Sequence, residues 1–386
     1  MKVTDIKTFV VDCYRTNWVF VKVYTDEGID GVGEATLEYK EKALIGAVEH
    51  IKEYLVGKDP REIEKHWHTI YRDAYWRGGA VLMSALSAVE CALWDILGKS
   101  LGVPVYQLLG GKVNEKVRIY VNGWFAGAQE PEEFAKKAKL AVERGVSAMK
   151  WDPFGKNYLN ISNADLDKAL KNIAAVRDAV GNSVDLLIEG HGRFNIPTAV
   201  KIARELEQFK PMFFEEPVPP DDLDALKQVK DRSCVAISAG ERLYTRWDYR
   251  PLFDKMAADY IQPDISHAGG IMELKKIAAE AECRYVAFAP HNPSGPVANA
   301  ATLQLAATCQ NFEILEIMYS DVEWRADVTN EALRYEDGYI YIPDKAGLGI
   351  EINEEACLEH PYQVHTLRHY TGALTDIRPA KSKFYF

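Results

Sequence analysis

The chain has 386 residues, which is enough for two domains or for one large barrel with an addition. Hydrophobic residues make up 47% of it and support a sizeable core, while a net charge of −11 argues against nucleic acid as a main partner. No apolar run reaches membrane-spanning length, and the N-terminus lacks the basic-then-apolar order of a secretory signal, so we expect no membrane partner.

Cysteine usage indicates the compartment. The six cysteines are scattered and form no CxxC pair, which favours reduced thiols in a cytoplasmic protein over a disulfide framework or a zinc site.

The first part of the chain predicts an α+β domain over residues 1–112. Residues 19–38 alternate apolar and polar positions on both sides of Asp26-Glu27-Gly28, which is typical of a β-hairpin. Helical patterns follow at 41–58 and 83–102, and 103–111 forms the exit from this domain.

From about residue 113 to 325, short apolar strands alternate with amphipathic helices, which predicts βαβ units and a parallel sheet. Eight strand ends recur at spacings of 23 to 39 residues, as a (β/α)₈ barrel requires. The first polar residues at these ends are Asn122, Lys150, Glu189, Glu215, Glu241, Asp264, His291 and Glu316. The C-terminal segment 326–386, with an alternating stretch at 332–352, is expected to return to the first domain and complete it.

Three successive strands end in a glutamate, at Glu189, Glu215 and Glu241. Because barrel chemistry lies at the carboxyl ends of the strands, these carboxylates should converge, and without a cation they would repel one another. A hard divalent ion such as Mg²⁺ fits oxygen ligands of this kind. The alternative is that each glutamate caps a helix or faces solvent.

Strand parity selects among the candidates. Adjacent residues point to opposite sides of a strand, so only one of Glu215 and Glu216 can face the barrel axis, and the first polar residue, Glu215, is preferred. Glu189 and His191 lie two apart and should share one side, as should Lys150 and Asp152.

The later strand ends carry proton-transfer groups. Asp264 and His291 end neighbouring strands, where a carboxylate could fix the imidazole tautomer and raise its basicity; the alternative is a helix-capping aspartate and a structural histidine. His267 is a rival partner for Asp264 in a loop-like context. Lys150 is a charge partner for substrate, a base, or a salt-bridge lysine, and Glu316 is either a protonated donor to substrate or an ion-pair residue.

At this point the residues resemble the enolase superfamily, in its mandelate racemase branch, over essentially the full chain. The resemblance is carried by TDEGIDGVGEA, SALSAVECALWDILGKSLGVPVYQLLGG, FFEEP, AGER, QPDISHAGG, APHNPSG and AGLGI, in that order. It implies an α+β capping domain over a modified (β/α)₇β barrel, and one Mg²⁺ that stabilises an enediolate. It implies that Glu189, Glu215 and Glu241 are the metal ligands and that His291 with Asp264 is the base.

Within that branch, GHGRF and KWDPFG are similar to segments of galactonate- and gluconate-type dehydratases of acid sugars. The likeness implies that His291 removes the C2 proton, Lys150 stabilises the enediolate, and His191 helps to expel the 3-hydroxyl, giving a 2-keto-3-deoxy acid. Racemases of the branch usually carry Lys-x-Lys on the second strand, where Asp152 replaces the second lysine here, and the first metal ligand is commonly Asp rather than Glu189.

The alternatives are a racemase, epimerase or cycloisomerase that uses the same enediolate, or a barrel without turnover that serves as a binding or regulatory protein. The resemblance also implies a homo-oligomer, often an octamer.

Two loops of the first domain are candidates for substrate specificity, with surface loops as the alternative. Residues 13–20 and 74–80 would form a lid, with the glycines of the second loop giving flexibility. Trp124 is equally consistent with core or site. The predicted substrate-binding residues are Arg15, Asn17, Trp18, Trp76, Asn122, Asp152 and Arg242.

Overall fold

A computed structural model describes residues 1–331, 333–366 and 381–384. The chain opens with an antiparallel sheet of β1 (Val3–Asp12), β2 (Asn17–Thr25) and β3 (Asp30–Glu34), in which β2 is central. The β2–β3 turn has Gly28 at φ 73°, a left-handed conformation that glycine adopts without a steric penalty. The helices that follow are α1 (Glu41–Leu55), α2 (Ile63–His68), α3 (Ala80–Leu101) and α4 (Val105–Leu108), with a π-helical turn at Thr69–Asp73 between α2 and α3.

Two glycines of β3 allow α3 to pack directly on the sheet. A Cβ at Gly33 would lie 1.9 Å from the carbonyl oxygen of Ala88, and one at Gly31 would lie 2.1 Å from that of Ala92. Among the described residues α3 is long and apolar enough to cross a membrane by composition, and 78% of its most apolar window is buried inside the protein. The apolar character of α3 therefore matches its position between sheet and barrel.

The second domain is a barrel of eight parallel strands with seven helices between them, which confirms the (β/α)₇β architecture. The strands are β4 (Lys116–Asn122), β5 (Ala148–Trp151), β6 (Asp185–Glu189), β7 (Phe213–Glu215), β8 (Ile237–Ala239), β9 (Tyr260–Ile261), β10 (Ala287–Phe288) and β11 (Leu315–Met318). The helices are α5 (Pro131–Glu143), α6 (Asn163–Val180), α7 (Ile196–Leu206), α8 (Leu223–Lys230), α9 (Arg246–Lys255), α10 (Ile271–Glu282) and α11 (Pro296–Ala306).

The barrel closes where the last strand meets the first. β11 pairs in parallel with β4, so that Glu316 lies opposite Tyr120. On its other side the chain before β11 forms a parallel bridge from Phe312 to Phe288 of β10. The short helix α12 (Arg325–Val328) follows a two-residue strand, β12 (Ser320–Asp321), in place of an eighth full barrel helix.

Buried carboxylates fix the capping domain onto the barrel. Glu34 accepts hydrogen bonds from the backbone N–H groups of Gly295 (2.6 Å) and Ala298 (2.9 Å), at the start of α11. Glu90 of α3 accepts from those of Ile271 (2.7 Å) and Met272 (3.0 Å), at the start of α10. Each carboxylate thus satisfies helix N–H groups that have no partner within their own helix, and two barrel helices become attachment points for the cap.

The C-terminal segment contacts both domains. The hairpin of β13 (Tyr335–Glu336) and β14 (Tyr339–Tyr341) extends the barrel sheet, because β14 pairs antiparallel with β4. Helix α13 (Glu354–Glu359) packs against β1, and Pro361 forms a bridge with Val11. A last strand, β15 (Lys383–Phe384), pairs with β12. Within the predicted segment 326–386, residues 332, 367–380, 385 and 386 lie outside the described part of the chain.

Candidate active site

The floor of the candidate site is a small apolar cluster inside the barrel. Its buried members are Tyr120, Ala148, Leu187, Phe213, Ala289 and Ile314. Each precedes by two positions one of the predicted site residues, which are Asn122, Lys150, Glu189, Glu215, His291 and Glu316. Side chains two positions apart point to the same side of a strand. Each strand that carries such a pair therefore contributes one residue to the apolar layer and, two positions later, one residue to the polar layer above it.

Glu189, Glu215 and Glu241 come together at the barrel mouth. One carboxylate oxygen of each lies within 4.8 Å of the others. Glu189 and Glu215 end β6 and β7, and Glu241 follows two residues after β8. Burial and the charge of Glu241 raise the pKa of Glu189 to about 7, and burial and the charge of Glu189 raise the pKa of Glu215 well above its usual value. This crowding of acidic groups is what a bound cation would relieve.

An unsatisfied atom supports the fit of a metal ion. Oε2 of Glu215 is buried and accepts no hydrogen bond from any described residue. A buried carboxylate oxygen without a partner is costly, and a cation would satisfy it. Three carboxylates with hard oxygen donors fit Mg²⁺ better than a softer ion that prefers nitrogen or sulfur.

Lys150 lies beneath the acidic triad and is almost fully buried. Its Nζ is 2.7 Å from Oε1 of Glu215 and 3.1 Å from Oε1 of Glu316, and 3.4 Å from Oε2 of Glu189. Burial lowers the pKa of Lys150, but the surrounding carboxylates outweigh it, and the net pKa lies well above its ordinary value. The lysine is therefore a fixed cation in this arrangement, which favours the charge-partner interpretation over a base.

His291 and Asp264 form a hydrogen-bonded pair. Nδ1 of His291 lies 2.7 Å from Oδ2 of Asp264, and its Nε2 lies 3.4 Å from Oε2 of Glu241. Burial would lower the pKa of His291, but the carboxylates of Glu241 and Asp264 outweigh it and hold the pKa well above its usual value. Because Asp264 faces Nδ1, the Nε2 atom is the one available for proton transfer at the cavity.

A second pair of the same kind lies on the other side of the barrel. Nδ1 of His191 is 2.7 Å from Oδ2 of Asp152, and the same oxygen accepts a hydrogen bond from Nη2 of Arg193 at 2.6 Å. The backbone N–H of His191 donates to Oε1 of Glu189 at 2.6 Å, which ties the histidine to the acidic triad. His191 follows the third barrel strand and His291 the seventh, so the two imidazoles lie across the mouth from each other.

Glu316 is enclosed by donors. Its Oε1 accepts a hydrogen bond from Nδ2 of Asn122 at 2.9 Å, and its Oε2 lies 3.9 Å from Nε2 of His291. Burial raises the pKa of Glu316, but Lys150 and His291 outweigh it and the net pKa is lowered. The ionised carboxylate is thus favoured over the protonated donor that the sequence allowed.

A cavity of about 360 Å³ opens above these groups, between barrel and cap. Of the predicted site residues, its lining includes Arg15, Asn122, Lys150, Glu189, His191, Glu241, Arg242, His291 and Glu316. Arg15 reaches it from the β1–β2 loop, where Nη2 donates to the carbonyl oxygen of Pro293 and Nη1 lies 3.8 Å from Glu38. Arg242 forms an ion pair with Glu216, the glutamate that parity excluded from the triad.

Four residues predicted to bind substrate lie elsewhere. Asn17 is buried and bonds to Glu41 (3.0 Å) and to the backbone of Gln363, so it joins the cap to the C-terminal segment. Trp18 is fully buried in the hydrophobic core, with its ring beside Gly295 of the barrel. Trp76 is 80% exposed, outside the cavity lining. Asp152 does not line the cavity either, because His191 and Arg193 occupy its carboxylate.

Trp124 belongs to the core as well. It is buried, and its Nε1 donates to the carbonyl oxygen of Lys150 at 3.0 Å. Of the tryptophans considered for the site, Trp18 and Trp124 therefore serve packing, whereas Trp76 lies on an exposed loop.

Sequence reasoning assigned no role to Arg193 or Tyr244, and it named His267 only as a rival partner for Asp264. Arg193 is fully buried and holds Asp152, and it stands in the same GHGRF segment as His191. His267 and Tyr244 line the cavity. Only His267 carried a signal, since it lies three residues after Asp264.

Comparison with known proteins agrees with this architecture. Residues 3–110 match the family model of the mandelate racemase and muconate lactonizing enzyme N-terminal domain, and residues 133–356 match the enolase C-terminal domain-like family. The D-galactonate dehydratase of Variovorax paradoxus is 39% identical over 92% of this chain and 93% of its own. That of Pectobacterium atrosepticum is 39% identical over 93% of this chain and 94% of its own.

Solved structures give the same result. A member of the enolase superfamily from Salmonella Typhimurium aligns at a TM-score of 0.89 with 33% identity, covering 93% of this chain and 98% of the other. A mandelate racemase/muconate lactonizing enzyme-like protein from Roseovarius sp. TM1035 aligns at 0.89 with 32% identity, over 94% and 96% of the two chains. The chain belongs to the enolase superfamily, in its mandelate racemase branch.

Proposed function

We propose that the protein is a Mg²⁺-dependent hydro-lyase that converts a sugar acid, an aldonate or an aldarate, to a 2-keto-3-deoxy acid. The observation that carries this proposal is the pair of aspartate-held histidines on opposite sides of one acidic triad. Such a site can remove a proton on one face of a substrate and deliver one on the other. The D-galactonate dehydratases at 39% identity support the hydro-lyase class.

In the proposed assignment Glu189, Glu215 and Glu241 hold the metal ion. When bound, Mg²⁺ supplies Lewis acidity that makes the proton next to the substrate carboxylate more acidic. The ammonium of Lys150, 3.4 Å or less from two of the three proposed ligands, adds a fixed positive charge where the enediolate gains its second negative charge. Because that charge is already in place, it costs no reorganisation during the reaction.

Proton removal is assigned to His291. Its Nε2 faces the cavity, and Asp264 stabilises the imidazolium that forms when the C2 proton is taken. Asn122 and Glu316 lie beside it and are bound to each other, which leaves them placed to orient the substrate near its carboxylate.

Loss of the hydroxyl is assigned to His191. Asp152 holds its Nδ1, so Nε2 is the nitrogen that can protonate the departing 3-hydroxyl. Arg15 and Arg242 reach the cavity from the cap and from the β8–α9 loop, and we assign them to the hydroxyl groups of the substrate chain.

The same two histidines also favour a second candidate, an epimerase or racemase of a sugar acid. A base on each face of C2 is what that reaction needs, and the positions after the third and seventh strands provide one. A cycloisomerase would need only the enediolate. Loss of water from the substrate distinguishes dehydration from all three.

The test is a screen. The enzyme is incubated with a panel of aldonic and aldaric acids and Mg²⁺, and 2-keto-3-deoxy products are measured as semicarbazones. We expect one or a few acids, D-galactonate among the first to try, to give product that EDTA abolishes. Absence of turnover for every acid would reject the dehydratase assignment, and inversion at C2 without loss of water would favour the second candidate.

The cytoplasmic location and a homo-oligomeric state, an octamer in many members of the family, are part of the proposal. Light scattering coupled to gel filtration measures the second directly, and a monomer would reject it.

A further inference from the structure

His267 lies in the loop between β9 and α10 and lines the same cavity as the two proposed proton-transfer histidines. Its residue is 8% exposed, and its backbone N–H donates to the carbonyl oxygen of Asp264 at 3.1 Å. The backbone of His267 is therefore fixed to that of Asp264, and its largely buried side chain lines the cavity.

The proton on one ring nitrogen can be assigned from the neighbours. Nδ1 of His267 lies 2.8 Å from Oγ of Ser84, in the cap helix α3. The single hydroxyl proton of Ser84 is already donated to the carbonyl oxygen of Ala80 at 2.7 Å. Ser84 can then only accept from the imidazole, so Nδ1 of His267 is protonated.

The other nitrogen makes no hydrogen bond within the described part of the chain. Nε2 lies 3.9 Å from Oδ2 of Asp264, which is too long for a hydrogen bond, and that oxygen already accepts from His291 at 2.7 Å. A ring nitrogen that lines a cavity and has no hydrogen-bond partner among the described residues can accept a hydrogen bond from a bound hydroxyl group.

We infer that His267 determines specificity by binding a hydroxyl group of the substrate chain through Nε2, while Ser84 of the cap sets the orientation of the ring. The inference rests on the proposed function, because a sugar acid supplies the hydroxyl. It also makes this contact dependent on docking of the cap, since Ser84 and His267 belong to different domains.

Two substitutions of His267 distinguish the contact made by Nδ1 from the contact made by Nε2. The amide of His267→Asn reaches the place of Nδ1 and can keep the bond to Ser84, whereas that of His267→Gln reaches the place of Nε2. We expect His267→Asn to raise KM by about tenfold, the worth of one neutral hydrogen bond, with kcat changed less, and His267→Gln to restore most of the loss.

Ser84→Ala, which leaves the ring untethered, should raise KM as well. Its matched control is Ser100→Ala, another serine of α3, whose hydroxyl donates to the carbonyl oxygen of Leu97 far from the cavity. Equal KM values for wild type and His267→Asn, or equal losses in Asn and Gln variants accompanied only by a lower Tm, would overturn the inference in favour of a structural histidine.

A spectroscopic measurement separates failure of this inference from failure of the proposed function. In protein labelled with ¹⁵N-histidine, the signals that His267→Gln removes identify the ring. We expect a protonated Nδ1, and an Nε2 resonance that moves when D-galactonate is added. If wild-type enzyme turns over no acid, the proposed function fails, whereas a proton on Nε2 alone overturns the orientation assigned to the ring. If an acid is turned over, an Nε2 signal that does not move when that acid is added overturns only the role of His267.

Discussion

Oδ2 of Asp152 lies 2.7 Å from Nδ1 of His191, the same separation that joins Asp264 to His291 across the barrel. The two pairs are related by their places in the fold: each aspartate follows one barrel strand, and each histidine follows the next. In the proposed mechanism Asp152 acts on the reaction through His191, which would account for a carboxylate where racemases of the branch carry a second lysine.

Asp152→Asn tests this positioning role. Backbone N–H of Phe154 donates to Oδ1, and His191 and Arg193 both donate to Oδ2, so an amide N–H of asparagine would face a donor in either orientation. We expect the dehydration rate to fall by about 10²–10⁴-fold, the usual contribution of general acid catalysis, while exchange of the C2 proton with solvent continues. Steady-state dehydration assays and proton NMR in D₂O measure the two rates.

Asp165→Asn is the control for that variant, because Asp165 lies in the first turn of α6, where its exposed carboxylate accepts a hydrogen bond from Ser162. Asp152→Asn should also lower Tm, since Arg193 keeps a buried charge without its anion. Wild-type dehydration in Asp152→Asn would remove His191 from the proposed acid role.

The metal ligands are tested by Glu215→Gln with Glu216→Gln as its neighbour control. Binding of Mg²⁺ at about one hundred times its Kd stabilises the folded state by about 3 kcal/mol, and this response should disappear in Glu215→Gln. Without metal, that variant should be at least as stable as wild type, because Glu215 is buried beside Glu189 and its pKa is raised well above normal.

Glu216 pairs with Arg242 and is not one of the three clustered carboxylates, so Glu216→Gln should keep the stabilisation by Mg²⁺. Thermal melts with EDTA and with Mg²⁺ compare wild type and the two variants. A Mg²⁺ response that survives in Glu215→Gln but is lost in Glu216→Gln would reverse the ligand assignment.

Close packing of α3 on β3 is tested by two glycine substitutions. Gly33→Ala would place a Cβ 1.9 Å from the backbone of Ala88, so helix and strand must separate, and we expect a loss of roughly 1–3 kcal/mol or more in the free energy of unfolding. Gly46→Ala in α1 meets no atom within 4 Å and should stabilise the protein by about 0.5–1 kcal/mol. Opposite signs in urea unfolding confirm the close contact, whereas a neutral Gly33→Ala contradicts it.

The barrel strands, and the site residues at their ends, could be predicted from the sequence because side-chain direction alternates with a period of two along a strand. Leu187 with Glu189 and Phe213 with Glu215 each combine a core position and a site position on one face of a strand. Beyond the end of a strand, this alternation no longer predicts the direction of a side chain. His191 has φ 50° and Glu216 has φ 37°, so their directions are set by turns rather than by the pleat.

Few of the contacts between the domains could be predicted from the sequence. Asn17 and Trp18 begin β2 directly after the loop that carries Arg15, yet only Arg15 lines the cavity. Asn17 instead bonds to Glu41 and to the C-terminal segment, and Trp18 is buried in the core. His267 depends on Ser84, 183 residues earlier in the chain. No local pattern encodes such a pairing, since it arises when two folded domains meet.

The cap–barrel junction should show a pH dependence at Glu90. Burial raises the pKa of this carboxyl to about 7, although N–H donors of α10 and Trp94 oppose the rise. Between the ordinary value near 4.5 and 7, the folded state holds a proton that the unfolded state has released. The contribution of Glu90 to stability is therefore fully present below about pH 4.5 and is lost as the pH rises through 7.

We expect the free energy of unfolding of wild type, measured relative to Glu90→Gln, to fall by about 1–3 kcal/mol between pH 5 and 7.5. The exposed Gly46→Ala supplies the control, because it alters no titratable group. A Glu90→Gln difference that is flat over this range would place the pKa of Glu90 near its ordinary value.

The division of labour between the two histidines is the most direct test of the proposed mechanism. His191→Asn should stop dehydration, because the 3-hydroxyl leaves without a proton donor, yet His291 and its Asp264 partner remain intact and should still exchange the C2 proton with D₂O. His291→Asn should lose both reactions. Mass spectrometry of recovered substrate detects deuterium at C2, and the semicarbazide assay detects product. Normal dehydration by His191→Asn would contradict its assignment as the acid, and exchange by His291→Asn but not by His191→Asn would show that the two histidines have the opposite roles.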